Sequence, residues 1–179
     1  TRVGGNMTLD ELCLAAIDMS DNVAANILIG HLGGPEAVTQ FFRSVGDPTS
    51  RLDRIEPKLN DFASGDERDT TSPAAMSETL RALLLGDVLS PEARGKLAEW
   101  MRHGGVTGAL LRAEAEDAWL ILDKSGSGSH TRNLVAVIQP EGGAPWIATM
   151  FISDTDAEFE VRNEALKDLG RAVVAVVRE

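Results

Sequence analysis

The sequence predicts a mixed α/β fold (α+β) in which a helical block is followed by an antiparallel β-meander and one long covering helix. Three observations carry this. Up to Arg112 the chain is punctuated by helix caps. After it, short β-branched and aromatic runs alternate with Gly, Ser and Pro turns. Near the end, a capping pattern opens a long amphipathic stretch.

The elements follow in order. Thr8-Leu9-Asp10-Glu11 reads as a capping box, with apolar residues at helical spacing after it: Leu12, Ala16, Met19, Val23 and Ile27. This predicts a helix over about 9–19, a break at Ser20-Asp21-Asn22, and a further helix through 28–30. Pro35 and Gly46 bracket a third helix, proline opening it and glycine closing it. Ser72-Pro73 to Gly86 and Ser90-Pro91 to Gly104 repeat that design. Between them and the third helix lies 47–71, long and without periodicity. Its charges alternate in sign through Arg51, Asp53, Arg54, Glu56, Lys58, Asp61, Asp66, Glu67, Arg68 and Asp69, which predicts a loop folded on itself by ion pairs. Runs at 118–122, 134–138 and 146–152 predict three antiparallel strands. A second capping box, Thr155-Asp156-Ala157-Glu158, should open a helix to about 177 with Phe159, Ala165, Leu166, Leu169, Val173 and Val177 inward. The expected division is 1–112, helical and including the 47–71 loop, and 113–179, three strands plus the terminal helix.

Composition narrows the function. With 17 Lys+Arg against 28 Asp+Glu the net charge is −11, and no basic stripe suggests a nucleic-acid or acidic-membrane partner. No apolar run reaches the ~18 residues of a membrane span. The start, Thr1-Arg2-Val3-Gly4-Gly5-Asn6, has neither Met nor a charged-then-apolar leader, the expectation for a mature or trimmed chain. Cys13, amid apolar neighbours, reads as a small buried hydrophobe. His31, His103 and His130 lack metal-ligand spacing, so neither a metal nor a cofactor is expected.

Three short groups could carry chemistry: Ser20-Asp21-Asn22 at a helical break, Glu56-Pro57-Lys58-Leu59-Asn60 in the long loop, and Lys124-Ser125-Gly126 at a strand end. Together they suit acyl transfer to water. A carboxylate at Glu56 with an amide at Asn60 can hold and activate a water. Lys124 can set a positive charge beside a hydroxyl such as Ser20 and attract a substrate carboxylate, while Ser125-Gly126-Ser127-Gly128 lets a substrate lie along a strand whose amides could serve an oxyanion. Each has a plainer reading: Ser20 and Asn22 as helix caps, Glu56 and Lys124 as surface ion pairs, the glycines as hairpin residues.

Ser20-Asp21-Asn22, the run Arg51 to Asn60, Asp66-Glu67-Arg68-Asp69-Thr70-Thr71 and Asp123-Lys124-Ser125-Gly126 resemble signature elements of the class A serine β-lactamases. The likeness extends to Gly33-Gly34-Pro35, Trp100-Met101, Val106-Thr107-Gly108 and Glu160-Val161-Arg162-Asn163. It implies the fold of serine β-lactamases and penicillin-binding proteins, and hydrolysis of β-lactam antibiotics through a serine acyl-enzyme.

By the same resemblance, Ser20 relays a proton to the lactam nitrogen, Asn22 binds the acylamino side chain, and Glu56 with Asn60 holds the deacylating water. Lys124, Ser125 and Gly126 face the substrate carboxylate with Arg132, and the Ser127 amide forms half of an oxyanion hole. Asp21 supports the site, a cis peptide is implied at Glu56-Pro57, and Arg54 with Asp69 is implied to clamp the loop. No Ser-x-x-Lys occurs in the chain. The resemblance therefore implies the C-terminal portion of the enzyme, with the nucleophile and a possible disulfide partner of Cys13 on an N-terminal segment, and a periplasmic or secreted location. The alternatives are a truncated fragment that only binds or self-associates, and a penicillin-binding transpeptidase, which would not need the Glu56 hydrolysis device.

Overall fold

The computed structural model describes residues 5–179; residues 1–4, on which the reading of the chain's start partly rests, lie outside the described residues. Helices α1 (Leu9–Asp18), α2 (Asn22–Leu32) and α3 (Pro35–Ser44) precede the long loop, in which Lys58–Asn60 makes a 3-10 turn. Helices α4 (Pro73–Leu80) and α5 (Pro91–Met101) follow, each with a serine cap and proline in its first turn. Strands β1 (Leu120–Ser127), β2 (Arg132–Gln139) and β3 (Trp146–Ile152) form an antiparallel sheet in the order β1-β2-β3, and α6 (Phe159–Arg178) covers it.

Local chemistry explains the boundaries. At α1 the Thr8 hydroxyl accepts from the Glu11 amide while the Glu11 carboxylate accepts from the Thr8 amide at 2.8 Å. Gly33, at φ +106, ends α2 in the left-handed conformation that favours glycine. After α4 the backbone widens into a π-helical turn, Arg81–Leu85, which the Gly86 amide closes onto the Arg81 carbonyl.

Alternation in the strands gives the sheet two covered faces. On one, Ile121, Leu134, Ala136, Ile138 and Met150 pack with Leu166 and Val174 of α6 and with Leu110 and Leu111. On the other, Leu122 and Val137 pack with Leu80, Leu84 and Met101 of the helical block. The sheet is thus the shared wall between α6 and the helices, and β1 carries its side chains to both.

Several expectations need correction. Lys124-Ser125-Gly126 lies inside β1, opposite Val135, Leu134 and Asn133, because the polar residues keep pairing after the apolar run ends. The second capping box does not form: the Thr155 hydroxyl accepts from the Ala157 amide instead, and α6 begins at Phe159 after an N-cap, Glu158, that makes no side-chain cap bond. On α6 the buried positions are Arg162, Leu166, Gly170 and Val174, whereas Phe159 and Leu169 stay exposed. Gly170 brings α6 close to the backbone of Leu111, where a Cβ would meet Leu111 Cα at 3.2 Å. Of the stripe expected in the first helices only Leu12 is buried, and Met19, Val23 and Ile27 are exposed, because the break at 20–22 redirects the helical face. Cys13 is half-buried, and partial burial together with nearby Asp10 raises its thiol above the ordinary value.

Candidate active site

The turn between α1 and α2 presents the first group. Asp21 is the N-cap of α2, its Oδ1 accepting from the Val23 and Ala24 amides at 2.9 Å each. Capping therefore occupies Asp21 and leaves the neighbouring hydroxyl of Ser20 for other work. Ser20 is held at φ +54, an uncommon conformation for a residue with a side chain. Lys124 Nζ donates to Ser20 Oγ and, at 2.5 Å, to the Ser125 carbonyl. Burial lowers the Lys124 pKa, with Arg132 adding to the effect, while Asp123 and Glu56 oppose it.

The long loop brings Glu56 to the same place. The Glu56-Pro57 peptide is cis, and Asn60 Nδ2 donates to Glu56 Oε2 at 2.6 Å. Burial raises the Glu56 pKa, outweighing the Asn60 hydrogen bond and the charge of Lys124. A group not found in the sequence fixes its backbone. Asn26 accepts from the Glu56 amide at 2.9 Å and donates to the Glu56 carbonyl at 3.0 Å. Asn26 stands one helical turn after Asn22, so i,i+4 spacing was the one sequence signal available.

Two carboxylates hold the loop shut. Asp69 accepts from Arg54 Nε at 2.5 Å and from the Asp53 and Arg54 amides at 2.7 and 2.9 Å. At the neck, Asp47 accepts from the Thr49 and Ser50 amides and from the hydroxyls of Ser50 and Thr79, and Ser50 Oγ lies 2.6 Å from Thr71 Oγ1. Burial pushes the Asp47 pKa up, but those hydrogen bonds prevail and hold it below the ordinary carboxylate value. Both ends of the loop are thereby tied to each other and to α4. The loop also touches the strand: a Cβ on Gly128 would stand 2.7 Å from the Asn60 carbonyl oxygen.

Beneath Lys124, Asp123 is buried and accepts from Thr107 Oγ1 at 2.7 Å and Arg112 Nε at 2.9 Å; burial raises its pKa against those bonds. This anchors β1 just ahead of Lys124. Ser125 is buried, and Ser127 and Gly126 are exposed along β1, whose other edge has no partner strand among the described residues. Arg132, opposite Ser127, is drawn toward α6. Its Nε donates to Asn163 Oδ1 and its Nη1 to the Gly126 carbonyl, both at 3.1 Å, and its guanidinium lies 5.4 Å from the Phe159 ring centroid. Asn22 is the first residue of α2, one turn before Asn26, on the helix that carries the Ser20 turn.

Comparison with known proteins agrees with this architecture. The model of the β-lactamase enzyme family matches residues 1–177, and the chain belongs to that family. Within it the relatives are of class A. The chain is 45% identical over 176 residues to β-lactamase CARB-4 of Pseudomonas aeruginosa, covering 98% of this chain and 61% of that protein. It is 48% identical over 170 residues to β-lactamase L2 of Stenotrophomonas maltophilia, covering 94% and 56%. The solved structure of an ancestral (GNCA) class A β-lactamase superposes with a TM-score of 0.93 at 48% identity, over 98% of this chain and 68% of that one. The chain thus spans about six-tenths of the length of those two curated relatives.

Proposed function

We propose that this chain supplies the deacylation and substrate-binding half of a serine β-lactamase, which opens β-lactam antibiotics through an acyl-enzyme. The observation that carries the reading is the convergence of Glu56, fixed by Asn26 and Asn60, with the Lys124–Ser20 pair, close enough for the charges of Glu56 and Lys124 to act on each other. Glu56, its basicity raised by burial, takes a proton from a water held with Asn60 as that water attacks the acyl carbonyl. Ser20, hydrogen-bonded to Lys124, passes a proton to the departing lactam nitrogen. Lys124 and Ser125 receive the substrate carboxylate together with Arg132, which reaches β1 through its bond to the Gly126 carbonyl; Gly126 leaves room for it, and Asn22 binds the acylamino group. The Ser127 amide gives one oxyanion donor. Asp21, Arg54, Pro57 and Asp69 hold this geometry.

The attacking serine and its lysine belong, in this reading, to an N-terminal segment of the same enzyme, because the chain contains no Ser-x-x-Lys. That segment and β-lactams are the proposed partners, and a periplasmic or secreted location accompanies them. One observation favours a second reading, binding or self-association without turnover: a groove between β3 and α6 is lined by Trp146, Ile147, Leu169, Val173 and Val176. Hydrolysis of a chromogenic cephalosporin, with intact mass recorded on the same sample, separates the two. The chain alone should be inactive and gain turnover when the N-terminal segment is supplied. If turnover stays absent with both segments folded and together, the enzymatic reading fails.

A further inference from the structure

Ser20 and Lys124 can act as a pair only while the α1–α2 turn and β1 keep a fixed spacing. On its downstream side the turn is held by Asp21, the cap of α2. On its upstream side it is held by Asp18, the last residue of α1, which grips the 104–106 segment that follows α5. Asp18 Oδ1 accepts from the Gly105 amide at 2.5 Å, and the Asp18 carbonyl accepts from the Val106 amide at 3.1 Å. The side chain and main chain of one residue thus take two consecutive amides, the first in a charge-assisted bond. A Cβ on Gly105 would stand 2.7 Å from Asp18 Oδ1 and 2.9 Å from the Asp18 carbonyl oxygen, so this approach requires glycine.

The same segment leads to β1. Thr107, 2% exposed, donates from Oγ1 to Asp123 Oδ1 at 2.7 Å. Arg112 Nε donates to that oxygen at 2.9 Å, and Arg112 Nη2 donates to the Met101 carbonyl at 2.8 Å, so the segment is tied to Asp123 at both ends. Lys124 follows Asp123, and its Nζ returns to Ser20 Oγ. Asp18, Gly105 with Val106, Thr107, Asp123, Lys124 and Ser20 therefore close a ring of bonds between the turn and the strand.

We propose that Asp18 is a positioning residue for the proton relay, setting the distance between Ser20 and Lys124 through Gly105 and Val106. That the distance serves a relay rests on the acyl-transfer reading; that Asp18 sets it does not. A misplacement of about 1 Å from a residue outside the chemistry can cost about 10²-fold in rate.

The test compares Asp18→Ala, Asp18→Asn and Gly105→Ala with the wild type. In the 179-residue chain, nuclear Overhauser contacts between the Lys124 ε-methylene and Ser20 β-methylene protons read the spacing. They should be lost in Asp18→Ala, which removes the acceptor, and in Gly105→Ala, which pushes the segment off Asp18 and leaves the carboxylate in place. They should persist in Asp18→Asn, which keeps an oxygen for the Gly105 amide. With the N-terminal segment supplied, kcat and kcat/KM for a chromogenic cephalosporin should fall together by roughly 10- to 100-fold in Asp18→Ala and Gly105→Ala, and recover in Asp18→Asn. Contacts retained in either Asp18→Ala or Gly105→Ala overturn the proposal, and so does their loss in Asp18→Asn. Loss of the contacts together with amide protection throughout β2 overturns it as well, since that marks a merely structural role; should Asp18→Ala not fold, Gly105→Ala decides. A wild type that shows the contacts but no turnover ends the acyl-transfer reading, and the contacts alone then judge the Asp18 link.

Discussion

Replacing Asp69 by Ala should open the 47–71 loop without unfolding the sheet. The Asp69 side chain is 3% exposed, and its carboxylate receives Arg54 Nε and the amides of Asp53 and Arg54. Removing it leaves a guanidinium and two amides without their acceptor, in a place water reaches poorly. Breaking a buried ion pair by deleting one partner costs roughly 3–5 kcal/mol, and the two amide bonds belong to the same loss and are not added to it. The opening equilibrium of the loop should therefore rise by about two to three and a half orders of magnitude. Native-state hydrogen exchange reads this directly: the amides of Asp53, Arg54 and Glu56 should lose protection by that factor while those of β2 keep theirs. Unchanged exchange at Asp53 and Arg54 would refute the clamp. Equal loss in β2 would show that the loop and sheet unfold as one unit, which also contradicts the reasoning.

Three further outcomes follow from the site. Asn26→Ala, which removes both bonds to the Glu56 backbone, should cost about 1–3 kcal/mol and expose the Glu56 amide to exchange; retained protection there would count against the anchor. The Glu56 pKa is raised in the folded state, so the native protein holds its proton to higher pH than the unfolded chain, and stability falls as pH rises from the ordinary carboxylate range through the raised value. Glu56→Gln should accordingly raise Tm at neutral pH and lose that advantage in acid below the ordinary range, whereas a lowered Tm at neutral pH would show that ionised Glu56 is stabilised by its neighbours. Gly128→Ala should force apart the Asn60 carbonyl and the strand at a cost of about 1–3 kcal/mol, seen in Tm; no change would mean the contact has slack.

Much of the helical block was legible because its signals are local. A hydroxyl, a proline or a glycine at a helix end acts within four residues, so Thr8, Ser72, Ser90, Pro35 and Gly46 mark real boundaries. The second capping box failed by the same locality: Thr155 had a nearer amide to serve, and nothing in the letters ranks the two. Strand ends were less legible, since Lys124 to Ser127 pair by backbone bonds that their side chains do not announce.

By itself the sequence determined the order of elements, the acidic balance and the groups Ser20-Asp21-Asn22, Glu56 to Asn60 and Lys124-Ser125-Gly126, whose spacing and family resemblance named the chemistry. Only the tertiary structure decided that Asp21 takes the capping role beside Ser20, that Asn26 grips Glu56 from thirty residues away, and that Arg162 is buried against the carbonyls of Gly128 and Thr131. The physical reason is range. Caps and periodicity arise between near neighbours, while burial, and the pKa shifts and unmet hydrogen bonds it creates, depend on which distant segments pack together.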